Sequence, residues 1–490
     1  MRSDRILLLF LAVFLAISPL RAQPPDDLVL QGNITGAQNN TYVALPFSVP
    51  AGTLRLSISF DYTGREQKTA LDLGLFDPQR FRGWSGGNKS SFTLSETDAT
   101  PSYLPGTLPA GTWRLIVGVP NIRASVVSHY TARIHFTRAA TQPQSFTATA
   151  LNSSAGWYRG DLHMHTAHSD GSCLSQSGKK VPCPLFLTAE AAAARGLDFI
   201  AITDHNTISQ YNDERELQPY FDKLLLIPGR EVTTFHGHAN VFGVTRFIDF
   251  RAGTQDVPDE SAWMRQAAQY GAVISLNHPN APSGEICMGC GWTADPPADM
   301  HLVTAIEAIN GGISEGPYAG VSFWERQLNA GFHLTGIGGS DNHNAPKPPD
   351  EPGSVGSPTT VVYAHELSVP AILDGIRSGR VFVDLTTSRN RLLDVTAHDA
   401  AQSAAMGDTL HASSRDTIRF DVHIIGCAGS RAEAIVDGKP DDAMPAQSIG
   451  NEEAVLHFSE TAGAAHWVRF NVRGADGKLQ LLGNPVYLTH

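Results

Sequence analysis

The residues in this sequence best suited to chemistry are its histidines and the acids beside them. Ten of the 19 histidines lie between His163 and His343. In Asp161-Leu-His-Met-His-Thr166, His163 and His165 flank Met164, and Ser169-Asp170-Gly171 follows. Asp204 and His205 come directly after Phe199-Ile-Ala-Ile-Thr203, and Glu231 follows Leu226-Ile-Pro-Gly-Arg230. His278 follows Val273-Ile-Ser-Leu-Asn277, while Asp341 and His343 follow Gly336-Ile-Gly-Gly-Ser340. A lone histidine at a strand end is more often a satisfied polar group than a ligand, and a lone Asp-Gly is usually a turn. Five apolar strand-like runs, each ending in His, Asp or Glu, predict a metal site. Residues i and i+2 on a strand point the same way, so His163 with His165, and Asp341 with His343, can each grip one ion. Imidazole with carboxylate suits Zn, Mn or Fe better than Ca or Mg. Bound metal lowers the pKa of water and so supplies hydroxide for hydrolysis.

Such a cluster needs strands whose ends open on one face. From Trp157 to about Asp384, apolar runs alternate with helical windows. Strands are expected at Leu197 to Thr203, Leu224 to Pro228, Ala272 to Leu276, Thr304 to Ile309 and Leu334 to Gly338. Helices are expected at Ala189 to Arg195, Glu260 to Tyr270, Val321 to Ala330 and Pro370 to Ser378, each closed by a glycine. Repeated strand–helix units predict an α/β parallel sheet or barrel, whose active sites gather at one end. Residues 24–145 read as an all-β sandwich domain with short alternating runs and Gly, Pro, Asn and Asp turns. Ala140 to Ala155 looks like a linker. Residues 388–490 return to β texture and predict a third, sandwich-like domain.

The series from Asp161 to Gly171, Ile202-Thr-Asp-His-Asn206, Gly229-Arg-Glu231, Asn277-His-Pro279 and Gly339-Ser-Asp-Asn-His343 resembles the PHP (polymerase and histidinol phosphatase) superfamily of metal hydrolases. The likeness covers residues 157–385. It implies a distorted seven-stranded (β/α) TIM-like barrel and two or three divalent transition-metal ions. By that resemblance His163, His165, Glu231 and Asp341 would hold one ion, and Glu231 would bridge to a second held by His278. Asp170, His205 and His343 would form the third group. Where three-metal relatives supply a further ligand, this chain offers Glu307 and Asn310, which leaves open whether two or three ions bind. The flanks, such as Gly74-Leu-Phe-Asp77 and Gly483-Asn-Pro-Val-Tyr487, resemble more loosely a secreted branch that includes carbaryl hydrolase.

Compartment and partners follow from composition. Arg2 and Arg5 precede the apolar run Ile6 to Ile17, with Ser18, Pro19 and Ala22 after it. That pattern predicts a signal peptide over residues 1–22 and a secreted or periplasmic chain. The run is too short for a comfortable membrane span, and no later segment approaches one, so no stable membrane insertion is expected. A net charge of −12 argues against nucleic acid or anionic membrane as the main partner and leaves a small-molecule or ester substrate. In an oxidising compartment Cys173 with Cys183, and Cys287 with Cys290, read as local disulfides, with Cys427 left over.

Phosphoester hydrolysis is the first reading of function, implied by the superfamily. Carboxylester or carbamate hydrolysis, implied by the carbaryl hydrolase likeness, is the alternative. A weakly catalytic protein whose β domains grip glycans or envelope is the third, and the complete ligand set argues against it. Arg230 would clamp a phosphate bidentately or form an ion pair beside the barrel. His238 would donate a proton to the leaving group, add a ligand, or orient Glu231.

Overall fold

The computed structural model describes residues 27–138, 143–287, 289–413, 416–461 and 466–489, and the expected signal peptide lies outside them. The alternating runs near the amino terminus form two four-stranded antiparallel sheets. Leu28–Thr35, Val127–Thr137, Arg55–Tyr62 and Ser91–Ser95 make one, and Thr41–Val49, Gly111–Asn121, Ala70–Phe76 and Phe81–Gly86 the other. Side chains alternate across each strand, so Leu71, Leu73 and Leu75 meet Trp113, Leu115, Ile58 and Ile134 in a single core.

The middle of the chain is mixed α/β, with many strands and few helices. Its strands run Thr335–Gly339, Ala305–Asn310, Val273–Leu276, His238–Phe242, Leu225–Thr233, Phe199–Ile202 and Gly156–Asp161 across one sheet. Most of these strands are buried along nearly their whole length, which explains why their sequences read as continuous apolar runs. Phe199–Ile202 is parallel to both neighbours, and Ala305–Asn310 likewise. The expected strand–helix repeat is broken once. Leu225–Thr233 turns back through residues 234–237 into His238–Phe242, which is antiparallel to both its neighbours. A parallel crossover needs about a dozen residues, and four residues permit only a hairpin. The connections therefore do not form a regular (β/α) barrel. The outer strands still meet at the ligand-bearing end, where Met164 bridges Asn342 in parallel and His165 N–H donates to Asn342 O at 2.8 Å.

Helices Leu185–Ala194, Glu260–Gln269, Val321–Asn329 and Val369–Ser378 occupy the expected windows. Ser368 caps the last by accepting from Ala371 N–H at 3.3 Å, and Gly379 ends it at φ 73°. The helix Gln210–Leu217 has no sequence signature, because its buried residues are Gln210, Tyr211 and Glu214 rather than an apolar stripe.

The carboxyl-terminal β region is continuous with this sheet. Val381–Asp384 pairs with Leu479–Gly483, which pairs with Trp467–Arg473. Trp324, Ile435, Trp467, Leu482 and Tyr487 share one apolar cluster. The stretch after residue 142 is also attached: Gln144 N–H donates to Gly243 O and Leu151 N–H to Leu367 O.

The amino-terminal sandwich is tied to the helix Gln210–Leu217 by Asp98. This fully buried carboxylate accepts from Arg55 at 2.9 and 2.7 Å, from Ser95 Oγ at 2.6 Å, and from Arg215. Burial opposes its charge, but Arg55 and Arg215 outweigh burial and hold its pKa at about 2. A depressed carboxylate pKa contributes stability above its unfolded value and loses it as pH falls through the folded one. Asp98→Asn should therefore destabilise the protein by about 3 kcal/mol at neutral pH by leaving two guanidinium groups uncompensated. The difference from wild type should shrink between about pH 4 and pH 2, as followed by urea melts.

Candidate metal centre

The geometry begins with alternation. His163 and His165 lie just beyond Gly156–Asp161 on the same side, while Met164 between them enters the apolar cluster with Ile200, Ile202 and Leu226. On Leu225–Thr233, Glu231 points inward and Arg230 points out. The buried Arg230 donates through Nη2 to Val244 O at 3.1 Å and to Arg246 O, and lies over the Tyr211 ring. The expectation that Arg230 contacts substrate is thus corrected: neighbours on a strand face opposite ways, and Glu231 takes the inward position.

Glu231 is the hub. Its oxygens lie 3.4 Å from His163 Nε2, 3.6 Å from His165 Nε2, 2.9 Å from His205 Nδ1, 3.3 Å from His238 Nδ1 and 3.5 Å from His278 Nε2. Asn277 Nδ2 donates to Oε1 at 2.8 Å, fixing the carboxylate. Asp341 Oδ1 lies 3.4 Å from His163 Nε2, 3.2 Å from His165 Nε2 and 3.5 Å from His343 Nδ1. Asp170 Oδ1 is 3.2 Å from His343 Nε2 and 3.7 Å from His205 Nε2. His278 and Asp341 adopt left-handed backbone, with φ 27° and 53°, a costly conformation for non-glycine residues that is held only where surrounding structure enforces it.

These residues fall into three overlapping groups whose ligand atoms lie within 4.8 Å of one another: His163, Glu231 and His278; His163, His165 and Asp341; and His165, Asp170, His205 and His343. The first is buried, the second is buried but for the partly exposed Asp341, and the third opens outward through Asp170 and His343. Whether cations fit can be judged from the separations. Two ligands each about 2.1 Å from a tetrahedral ion sit about 3.4 Å apart, whereas a direct hydrogen bond closes to about 2.9 Å. Most of the contacts above fall near the former. Moreover, His163 Nε2, both ring nitrogens of His165 and His238 Nε2 are buried without a hydrogen-bond partner. Buried polar atoms are normally paired, so these nitrogens fit cation ligands.

Charge balance points the same way. Burial opposes ionisation of Glu231 and Asp341, yet the imidazoles around them, His163 foremost, hold both well below the usual carboxylate range. Conversely, burial works against charge on His163, but Asp341, Glu307 and Glu231 raise it well above the ordinary value. On the open side, burial is outweighed by Asp170 and Asp341, which lift His343 to about 9, and its hydrogen bond holds Asp170 at about 2. Cations would take the place of these protons, so binding should release protons and weaken as pH falls.

All eight residues read as ligands from the sequence, His163, His165, Asp170, His205, Glu231, His278, Asp341 and His343, converge here, with His238 beside them. Asp204 does not; it accepts from Thr166 N and Oγ1, both at 2.7 Å, and from Ser169 Oγ, and so shapes the Asp170 loop. Glu307 has a role that spacing did not reveal. Its Oε1 lies 2.9 Å from His163 Nδ1, and Oε2 accepts from His278 N–H at 2.9 Å and Asn310 Nδ2 at 3.0 Å. It orients His163 so that Nε2 faces the centre. The cysteines expected as disulfides are paired, with Cα–Cα distances of 4.9 Å for Cys173–Cys183 and 5.5 Å for Cys287–Cys290, and Cys427 is free and buried. The first disulfide closes the hairpin after Asp170, where Ser172 N–H donates to His343 O at 2.7 Å.

No family model and no curated protein matches the chain. Among solved structures, it is similar to a two-domain protein from Bacteroides vulgatus ATCC 8482 described as containing a predicted PHP-like metal-dependent phosphoesterase. That similarity is 17% identity over 71% of this chain and 99% of the other, with a TM-score of 0.37. At that score the likeness decides neither fold nor chemistry, which rest on the side chains above.

Two substitutions separate orientation from packing. Glu307→Gln should lower metal affinity about 10–100-fold, because His163 loses the carboxylate that fixes its tautomer. Arg230→Met should lower the melting temperature while leaving metal stoichiometry intact. Elemental analysis after dialysis, alongside thermal melts, checks both; loss of metal in the Arg230 variant would restore it to the centre.

Proposed function

We propose that this protein is a metal-dependent hydrolase of ester bonds, a phosphoesterase in the first place, with the PHP-like barrel and ligand set that its motifs resemble. The observation that carries the reading is the convergence of five imidazoles on the buried carboxylate of Glu231, with Asp341 closing the group. His163, His165, Glu231, His278 and Asp341 would hold the inner divalent ions, and Asp170, His205 and His343 the outer one. Zn, Mn or Fe suits this mixture of nitrogen and oxygen. Ions bound there would supply a Lewis acid and an activated water.

The chain's own residues perform the remaining tasks. Glu231 and Asp341 bring negative charge that balances the cations, and Asn277 and Glu307 hold the ligands in place. His238, only 7% exposed and 3.3 Å from Glu231 through Nδ1, keeps Nε2 free of partners. It would hand a proton to a departing alkoxide, add a ligand, or steady Glu231. The outer group is half-open, so substrate enters past Asp170 and His343, whose side chains are 59% and 38% exposed. The paired cysteines support the signal-peptide reading of a secreted or periplasmic chain.

Carboxylester or carbamate hydrolysis uses the same groups, and substrate choice separates the readings. Chromogenic phosphomonoesters, phosphodiesters and carboxylesters should be compared on enzyme reconstituted with Zn, Mn or Fe. Phosphoester turnover abolished by chelation and restored by metal is expected. Glu231→Gln should reduce turnover by several orders of magnitude with loss of metal, because Gln keeps the shape and loses the charge. His236→Ala, at an exposed turn, should keep its metal. Retention of metal and turnover by Glu231→Gln would overturn the proposal.

A further inference from the structure

One buried acid stands outside the metal groups yet holds the turn that joins Glu231 to His238. Glu260, the first residue of the helix Glu260–Gln269, is 3% exposed. Its Oε2 accepts from Trp263 Nε1 at 2.6 Å, and its Oε1 lies 2.9 Å from Thr234 Oγ1. Thr234 opens the turn 234–237 between Leu225–Thr233 and His238–Phe242. The same Oγ1 lies 2.9 Å from Gly237 O and accepts from His236 N–H at 3.1 Å.

These contacts lack a proton if Glu260 is ionised. A threonine hydroxyl has one proton to donate and two lone pairs to accept with. Thr234 Oγ1 stands at hydrogen-bonding distance from two oxygens, Gly237 O and Glu260 Oε1, and neither a carbonyl nor a carboxylate brings a proton. With Glu260 ionised, one contact presses two buried oxygens together with no proton between them, which is costly. A proton on Glu260 Oε1 closes the count. Oε1–H then donates to Thr234 Oγ1, the Thr234 hydroxyl donates to Gly237 O, and His236 N–H takes the remaining lone pair. Burial favours the same state, raising the Glu260 pKa against the pull of Trp263, Thr234 and His236. The other charged neighbours do not reverse this. Asp259 opposes ionisation and lies 3.8 Å from Arg265. Asp299, whose N–H donates to Ser261 Oγ at 2.9 Å, turns its carboxylate to His301 N–H.

We infer that Glu260 is a neutral carboxylic acid in the folded protein, a positioning residue whose proton locks the turn between Glu231 and His238. That turn sets Thr233 opposite His238, and Thr233 Oγ1 lies 2.6 Å from His205 Nδ1. Through these two residues the clamp fixes one imidazole beside Glu231 and one of the outer group. The proton assignment stands apart from the proposed hydrolase reading, and its consequence for the metal centre rests on that reading.

The test uses the intact, zinc-loaded protein. An infrared difference spectrum of wild type against Glu260→Gln at about pH 6, where an ordinary glutamate is ionised, should show the C=O stretch of a protonated carboxyl. An acid whose pKa is raised on folding contributes stability below its unfolded value and loses it as pH rises through the folded one. In urea melts between about pH 5 and pH 8, wild type should therefore lose stability relative to Glu260→Gln. Glu260→Ala should lower zinc affinity about 10–100-fold, read by chelator competition, and Glu260→Gln should restore it. If Glu260→Ala does not fold, Thr234→Val removes the same contacts and takes its place. A carboxylate band in place of the protonated one, with wild type gaining on Glu260→Gln as pH rises, overturns the assignment. A protonated band with undiminished zinc affinity in the folded Ala or Val variant overturns the positioning role. A protonated band and weakened zinc, in a protein that turns over no ester, counts against the hydrolase reading and for the clamp.

Discussion

A buried carboxylate ringed by imidazoles must be compensated, by protons or by cations, and Glu231 is such a group. It is 1% exposed, and five ring nitrogens lie within 3.6 Å of its oxygens. Burial alone would raise its pKa, so the ionised state persists only through the neighbouring positive charge. The rest of the middle region serves that arrangement. Leu225–Thr233 carries Glu231 inward because its flanking positions are filled by Arg230 and Val232, which pack away from the centre. Asn277 and Glu307 then remove the freedom of the ligands themselves.

The inner side is the more tightly hydrogen-bonded and the less exposed. His163 and His278 are gripped by one carboxylate, Glu307, and Asp341 is locked in a left-handed turn. Asp170 and His343, by contrast, are partly solvated and depend on a short hairpin closed by Cys173–Cys183.

Among the described residues, none of the candidate metal groups includes a residue of the flanking β regions. The carboxyl-terminal strands extend the central sheet and cover Trp324 with Trp467, Leu482 and Tyr487. The amino-terminal sandwich keeps its own core and meets the centre's scaffold through Asp98 and Arg215. Its histidines, such as His129 and His135, pair locally with Asn33 and Asp27.

How much of this was legible beforehand depends on whether a feature is local. Which residues could ligate was readable because strand alternation and the placement of His, Asp and Glu after apolar runs are properties of a few consecutive residues. Helix ends at Gly196, Gly271, Gly331 and Gly379 were readable for the same reason. Residues 225–242 were not, because the same apolar run serves a parallel strand or a hairpin, and only the pairing of Glu231 with Asn240 decides. Arg230 next to Glu231 resembles a phosphate clamp until the strand's inward face is known. Glu307 gains its role from His163, 144 residues away, and no spacing encodes that contact. The sequence by itself therefore determined the kinds of group available and the ends of elements that present them. The tertiary structure decided which neighbouring side chains face Glu231 and how far the sheet continues, because strand order and facing are set by long-range pairing.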